Sequence, residues 1–165
     1  MKELIEKLKQ ILGCVSAEDL KEANAIADIL LAVVSKTEHR IKAQEVYDIL
    51  HAKYPNVNLQ IWDENYYLLP LTEWKAVLEE VRYSLPDYLK DKFDCDNYAI
   101  VTSGRVALNY MINSCGIAVG AGHAFNVILA YENGKVVSHT YEPQSTGEIV
   151  FDPSYLIVER TVILG

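Results

Sequence analysis

Cys95 stands between two aspartates in FDCDNYAIV, residues 93–101, just ahead of a run that reads as buried helix. A cysteine that only fills a core wants apolar neighbours. Carboxylates on both sides point instead to a thiol that does chemistry, as a nucleophile at a helix start or as a metal ligand. A helix N-terminus favours thiolate, whereas Asp94 and Asp96 oppose it by like-charge repulsion. The carboxylates therefore serve as helix caps, as partners for basic groups, or as oxygen ligands for a hard cation such as Ca²⁺.

A partner for the thiol comes from the second half of the chain. Glu132-Asn133-Gly134-Lys135 carries the Asn-Gly pair that favours a two-residue hairpin turn. Taken literally, that turn sets Glu132 opposite Lys135, Phe125 opposite Glu142 and His123 opposite Gln144. Side chains alternate between faces, so His123, Phe125, Glu142 and Gln144 share one. His123 and Glu142 become diagonal neighbours, about 7 Å apart at the backbone. His139 pairs with Ile128 on the other face. An imidazole held by an acid, beside a thiol at a helix start, has the parts of an activated nucleophile: Cys95 attacks, His123 moves the proton, and Glu142 fixes the ring. Gln144 is an alternative holder of the histidine. Gln60 is a candidate oxyanion donor on residue type alone. A transition-metal site using Cys95, His123 and Glu142 directly is a third arrangement. Cys14 and Cys115 lack polar company and read as buried hydrophobes, and His39 and His51 read as exposed.

The elements that must position these groups follow from periodicity. Leu4, Ile5, Leu8, Ile11 and Leu12 fall at helical spacing, as do Leu20, Ala23, Ile26, Leu30, Leu31 and Val34. Gln44–Lys53 predicts a third helix, Val57–Leu69 a strand or irregular hairpin, and Thr72–Val81 a fourth helix. Asp94 caps a helix running to about Asn113, with Tyr98, Thr102, Val106, Tyr110 and Met111 facing inward. His123–Tyr131 and Lys135–Tyr141 form the hairpin, and Leu156–Leu164 a last strand.

At 165 residues the chain reads as one domain, able to bury a core without disulfides. Its formal charge of −8 argues against nucleic acid and anionic membrane as partners. The N-terminus lacks the apolar core of a signal peptide, and no run reaches transmembrane length, so a cytoplasmic location is expected. Composition leaves the oligomeric state open.

FDCDNYA, GHAFNVI and YEPQ, in that order, resemble the papain-like and transglutaminase-like cysteine-peptidase group, most closely a protease domain attached to a mushroom agglutinin and its phage-encoded relatives. The resemblance covers about residues 57–150. It implies Cys95 as nucleophile, His123 as base and Glu142 as orienting acid, a peptide or protein substrate, and a divalent cation, commonly calcium, as cofactor, with Asp94, Asp96 and Asn97 as its candidate ligands. The expected fold is α+β: a papain-like core over 57–165, with the cysteine-bearing helix packed on a small antiparallel sheet, preceded by a helical segment over 1–55. The competing function is a non-catalytic binding module, holding a metal or a partner at the acidic loop and cleft.

Overall fold

Residues 39–83 and 85–165 are described by the computed structural model, and they belong to a unit spanning Lys36–Gly165. The two N-terminal helices expected before Ser35, and Cys14 with them, lie outside the described residues.

Strand β1 (His39–Lys42) was not anticipated. Its pattern is short but amphipathic, with Ile41 inward between exposed Arg40 and Lys42. Arg40 is tied to the Asn65 carboxamide oxygen through Nε at 3.1 Å and a terminal nitrogen at 2.7 Å. Helix α1 (Ala43–Lys53) buries Val46 and Leu50. Strands β2 (Asn58–Ile61) and β3 (Asn65–Pro70) follow, then α2 (Leu71–Tyr83) and the cysteine-bearing α3 (Cys95–Tyr110). The chain closes with β4 (Cys115–Val119), β5 (Ala124–Glu132), β6 (Lys135–Tyr141) and β7 (Thr161–Leu164).

The strands form one mixed sheet of seven, in the order β1-β3-β5-β4-β7-β2, with β6 added to β5. This corrects the expectation of a small antiparallel sheet. β3 runs parallel to β5, and β2 runs parallel to β7. Parallel neighbours come from distant stretches of chain, so no local turn signal announces them. The residues from Val57 to Leu69 are not a hairpin either, because β2 and β3 pair with different strands. The Tyr66 hydroxyl fixes the bend between them: it accepts the Trp62 and Asp63 amides, each at 3.0 Å, and donates to the Leu164 carbonyl at 3.0 Å.

The hairpin register is the one read from the turn: Glu132 faces Lys135, Tyr131 faces Val136 and Ile128 faces His139. Asn133 and Gly134 both have positive φ, at 50° and 79°, as a type I′ turn requires. β5 is the centre of the sheet. Its first half pairs with β4, Ala130 and Tyr131 with β3, and most of its other edge with β6.

One face of the sheet buries Phe125, Val127 and Leu129 from β5 against Val46 and Leu50 of α1, together with Tyr66, Leu68, Val162 and Leu164. The opposite parity, Asn126 with Ile128 and Ala130, is also buried, and α3 packs on β4 and β5 there. A strand buried on both faces reads as a nearly continuous apolar run, and AFNVILAY is one. Met111 departs from the expected inward stripe. α3 ends at Tyr110, and Met111 turns into the left-handed region at φ 57°, as the C-cap, leaving its side chain 77% exposed. The last strand is shorter than expected, since residues 156–160 lack strand pairing.

Among the described residues, no helix is long and apolar enough to cross a membrane.

Candidate functional site

Asp94 begins α3 as its N-cap, in a reciprocal capping box with Asn97. The Asp94 amide donates to the Asn97 carboxamide oxygen at 3.2 Å. A tight turn delivers the chain to this point: Leu89 and Phe93 exchange backbone hydrogen bonds at 2.8 and 2.7 Å. Within it Asp91 takes a left-handed conformation and donates its amide to Asp94 Oδ2 at 3.1 Å. Cys95 therefore occupies the first helical position, partly exposed, with Asp94 and Asp96 beside it. One ligand atom from each of Asp94, Cys95 and Asp96 lies within 4.8 Å of the others. The two carboxyls share a hydrogen bond. It pushes the Asp94 carboxyl up from its ordinary range and holds Asp96 below it. Such splitting is the signature of two like charges that cannot both ionise freely.

His123 precedes β5, and Glu142 follows the end of β6. The hairpin brings them together as the register predicts: His123 Nε2 lies 2.6 Å from Glu142 Oε2. Glu142 is only 8% exposed, and its other oxygen accepts the Gln144 backbone amide at 3.0 Å. Both carboxylate oxygens are therefore engaged, as burial of a carboxylate demands. Glu142, not Gln144, holds the histidine. His123 Nδ1 makes no hydrogen bond among the described residues.

The helix start and this pair occupy the same end of the sheet. Ser103 donates to the Cys115 carbonyl at 2.5 Å, and the buried Asn126 amide bridges the Ala99 and Gly116 carbonyls at 2.9 and 3.0 Å. α3 therefore runs against the direction of β4. One turn back from Ala99, about 6 Å along the helix, Cys95 reaches the end of the sheet where β4 finishes and β5 begins. Tyr98 of α3 and Pro143-Gln144 after Glu142 line one cavity there. The Cys95 thiol makes no hydrogen bond to His123, or to any other described residue. The structure thus joins His123 to Glu142 and sets the acidic turn at the same end, without closing a thiol–imidazole contact.

The remaining candidates separate. Gln60 lies on β2, the outer strand at one edge, paired with Ile163, so the sheet carries it away from His123. Asn97 spends its carboxamide oxygen on the helix cap, leaving Asp94 and Asp96 as the oxygen donors. Cys115 is 2% exposed, and burial pushes its thiol up to about 12. Iodoacetamide at pH 8.5 is accordingly expected to modify Cys95 and spare Cys115 in the folded protein. Peptide mass spectrometry checks this, and equal labelling of the two would contradict the burial described here.

Two groupings had no sequence signal. His139, 8% exposed, sits 2.6 Å through Nδ1 from Asp152 Oδ2, while Lys53 reaches Asp152 at 3.1 Å and the Ser138 carbonyl at 2.5 Å. Asp152 is partly desolvated, which raises its carboxyl, but hydrogen bonds from the Thr140 amide, His139 and Lys53 outweigh this and hold it below the usual carboxylate range. Arg82 clamps the loop after Glu142 by donating to the Ser145 and Gly147 carbonyls at 2.9 and 2.6 Å. Both groupings use loop residues far apart in sequence, which no local pattern marks.

Comparison with known proteins corrects the peptidase reading. Residues 30–164 match the family model of the ricin-type beta-trefoil lectin C-terminal domain. No curated protein matches. Among solved structures, the chain is similar to one described as a PSL1a-E64 complex, at 22% identity and a TM-score of 0.50. A second is Polyporus squamosus lectin bound to a human-type influenza-binding epitope, at 21% identity and a TM-score of 0.49. Each alignment covers 68% of this chain and 48% of the other, so the chain spans about half the length of these structures. The likeness to the first is one of fold. The expected papain-like core, with its peptide substrate and thiol-protease activity, gives way to this lectin-associated assignment. The chain belongs to the ricin-type beta-trefoil lectin C-terminal domain family.

Proposed function

We propose that the chain is a non-catalytic binding module that holds a divalent cation at the acidic turn and receives a glycan at the adjoining end of the sheet. The observation that carries this reading is the polar assembly at that end. Buried Glu142 fixes His123 at 2.6 Å and leaves imidazole Nδ1 unpartnered, while two carboxylates crowd each other at the start of α3. Cys95, His123 and Glu142 line the site in this proposal, with the imidazole presenting a hydrogen-bonding atom to the partner.

The donor set fits a hard cation. Asp94 and Asp96 supply oxygens, and a cation between them removes the repulsion that now splits their titration. Ca²⁺ takes six to eight oxygen ligands, so the positions these carboxylates leave are filled by water or by ligand hydroxyls. The thiol is a poor ligand for such an ion and takes no part in holding it. Glycan as the partner class is supported by the lectin family to which the chain belongs, and hydroxyl groups suit a site made of carboxylates, an imidazole and a hard cation.

Thermal unfolding with and without CaCl₂ tests the cation. A concentration one hundred times Kd is expected to add about 2.7 kcal/mol, read as a raised Tm, and Asp96→Asn should abolish the rise. A Tm indifferent to Ca²⁺ would remove the cation from the proposal. Competition from protons gives it a direction with pH: because Asp94 holds its proton more tightly than an ordinary aspartate, the Ca²⁺ effect should shrink as pH falls.

A further inference from the structure

We infer that Glu132 and His139, on one face of the β5–β6 hairpin, form a site for a transition metal ion such as Zn²⁺. The inference is independent of the glycan reading and uses none of the residues at the start of α3.

His139 pairs with Ile128 across the hairpin, so it shares a face with Ile128, Ala130 and Glu132. It is only 8% exposed, and its ring lies against Phe151, with centroids 5.6 Å apart. Nδ1 is 2.6 Å from Asp152 Oδ2. That carboxyl is held ionised, since its other oxygen accepts the Thr140 amide at 3.0 Å and Lys53 at 3.1 Å. A carboxylate only accepts, so Nδ1 carries the proton of the neutral ring, and Nε2 points its lone pair the other way.

What Nε2 meets is Glu132. The nitrogen is shut off from solvent and has no hydrogen-bond partner, yet Glu132 Oε1 stands 3.5 Å away. Two acceptors facing each other repel, and a cation bound to both removes the conflict. The spacing suits a metal ion. With Zn–N and Zn–O bonds of about 2.0–2.2 Å at a tetrahedral angle, the two ligand atoms stand about 3.4 Å apart. The rest of the histidine already has the form of a metal ligand: its other ring nitrogen donates to a carboxylate, which fixes tautomer and ring orientation. Imidazole with a single carboxylate suits Zn²⁺, whereas Ca²⁺ demands six to eight oxygens. Water completes the coordination from the Glu132 side, where the side chain is 29% exposed and lines a cavity of about 510 Å³. Lys75, in the same lining, is 3.7 Å from Glu148 instead.

ZnCl₂ titrated into protein labelled with ¹⁵N in its histidine rings makes the test, with CaCl₂ as the comparison. One equivalent of Zn²⁺ is expected to shift His139 Nε2 and leave the Nδ1 proton in place, while Ca²⁺ leaves both nitrogens unmoved. Glu132→Gln should weaken Zn²⁺ at His139 at least tenfold. Glu132→Ala, at the exposed end of the hairpin, should do the same if the first variant fails to fold. The ring signals of His123 report separately any Zn²⁺ taken near Cys95. A His139 ring protonated on both nitrogens and indifferent to Zn²⁺ would show that a proton joins the pair, and would overturn the metal site. So would Zn²⁺ shifts confined to His123, or an affinity at His139 unchanged in both Glu132 variants.

Discussion

Trp74→Ala is expected to lower the unfolding free energy by about 3–5 kcal/mol, the largest loss from a single truncation in this fold. Trp74 is wholly buried on α2, and its indole N–H donates to the Leu129 carbonyl at 3.0 Å. β5 carries the sheet's central pairings, so that bond fastens α2 to the strand on which the site depends. Alanine would remove the largest fully buried side chain, open a cavity where the neighbours relax only in part, and strip the Leu129 carbonyl of a donor. For a chain of this size the change corresponds to a fall in Tm of about 10 °C. Trp62 supplies the control, because it is 68% exposed and its replacement should stay within about 0.5 kcal/mol. Urea unfolding followed by circular dichroism separates the two, and a Trp74→Ala loss below about 1 kcal/mol would contradict the described packing.

Gly116→Ala should cost about 3 kcal/mol for the opposite reason, too much matter rather than too little. A Cβ built at Gly116 meets the Ile163 carbonyl oxygen at 2.4 Å and Leu164 Cδ1 at 2.3 Å. The leucine methyl can swing away. The carbonyl cannot, because Ile163 is paired with Ile117 in the β4–β7 ladder. Either the strands part or the pairing slips, and slippage moves every side chain to the wrong face. Gly104 offers the contrasting substitution: it lies inside α3 with nothing within 4 Å of its Cβ position. Gly104→Ala should therefore stabilise by about 0.5–1 kcal/mol through helix propensity. Opposite signs at the two glycines, read from denaturant midpoints, are the expected result, and a neutral Gly116→Ala would show that β7 is not locked against β4.

How much of this was legible beforehand differs by kind of interaction. The β5–β6 hairpin was, because Asn133-Gly134 fixes both turn and register locally, and the register in turn brought His123 to Glu142. α3 and its cap were legible from Asp94, although the part Asn97 plays in that cap was not. The sheet was not. β3 with β5 and β2 with β7 are parallel pairings between remote segments, and their short, mixed sequences carry no mark of their partners. β1 was missed because four residues with one buried side chain give too little period to read. Met111 was placed in the core by spacing alone, whereas the helix ends one residue earlier and the left-handed cap turns it outward. At the site, three short strings in order suggested a papain-like peptidase. The family match replaces that with a lectin-associated domain, and the structure closes no thiol–imidazole hydrogen bond. Local strings report which side chains meet across a hairpin. They do not report what a site does.

The claim that this end of the sheet is a binding site is tested most directly by titrating CaCl₂ into ¹⁵N-labelled protein and following the backbone amide signals. The account predicts saturable shifts centred on residues 94–97, spreading to His123 and Gln144, and their loss in Asp96→Asn. Signals that do not move, or that move identically in Asp96→Asn, would contradict it.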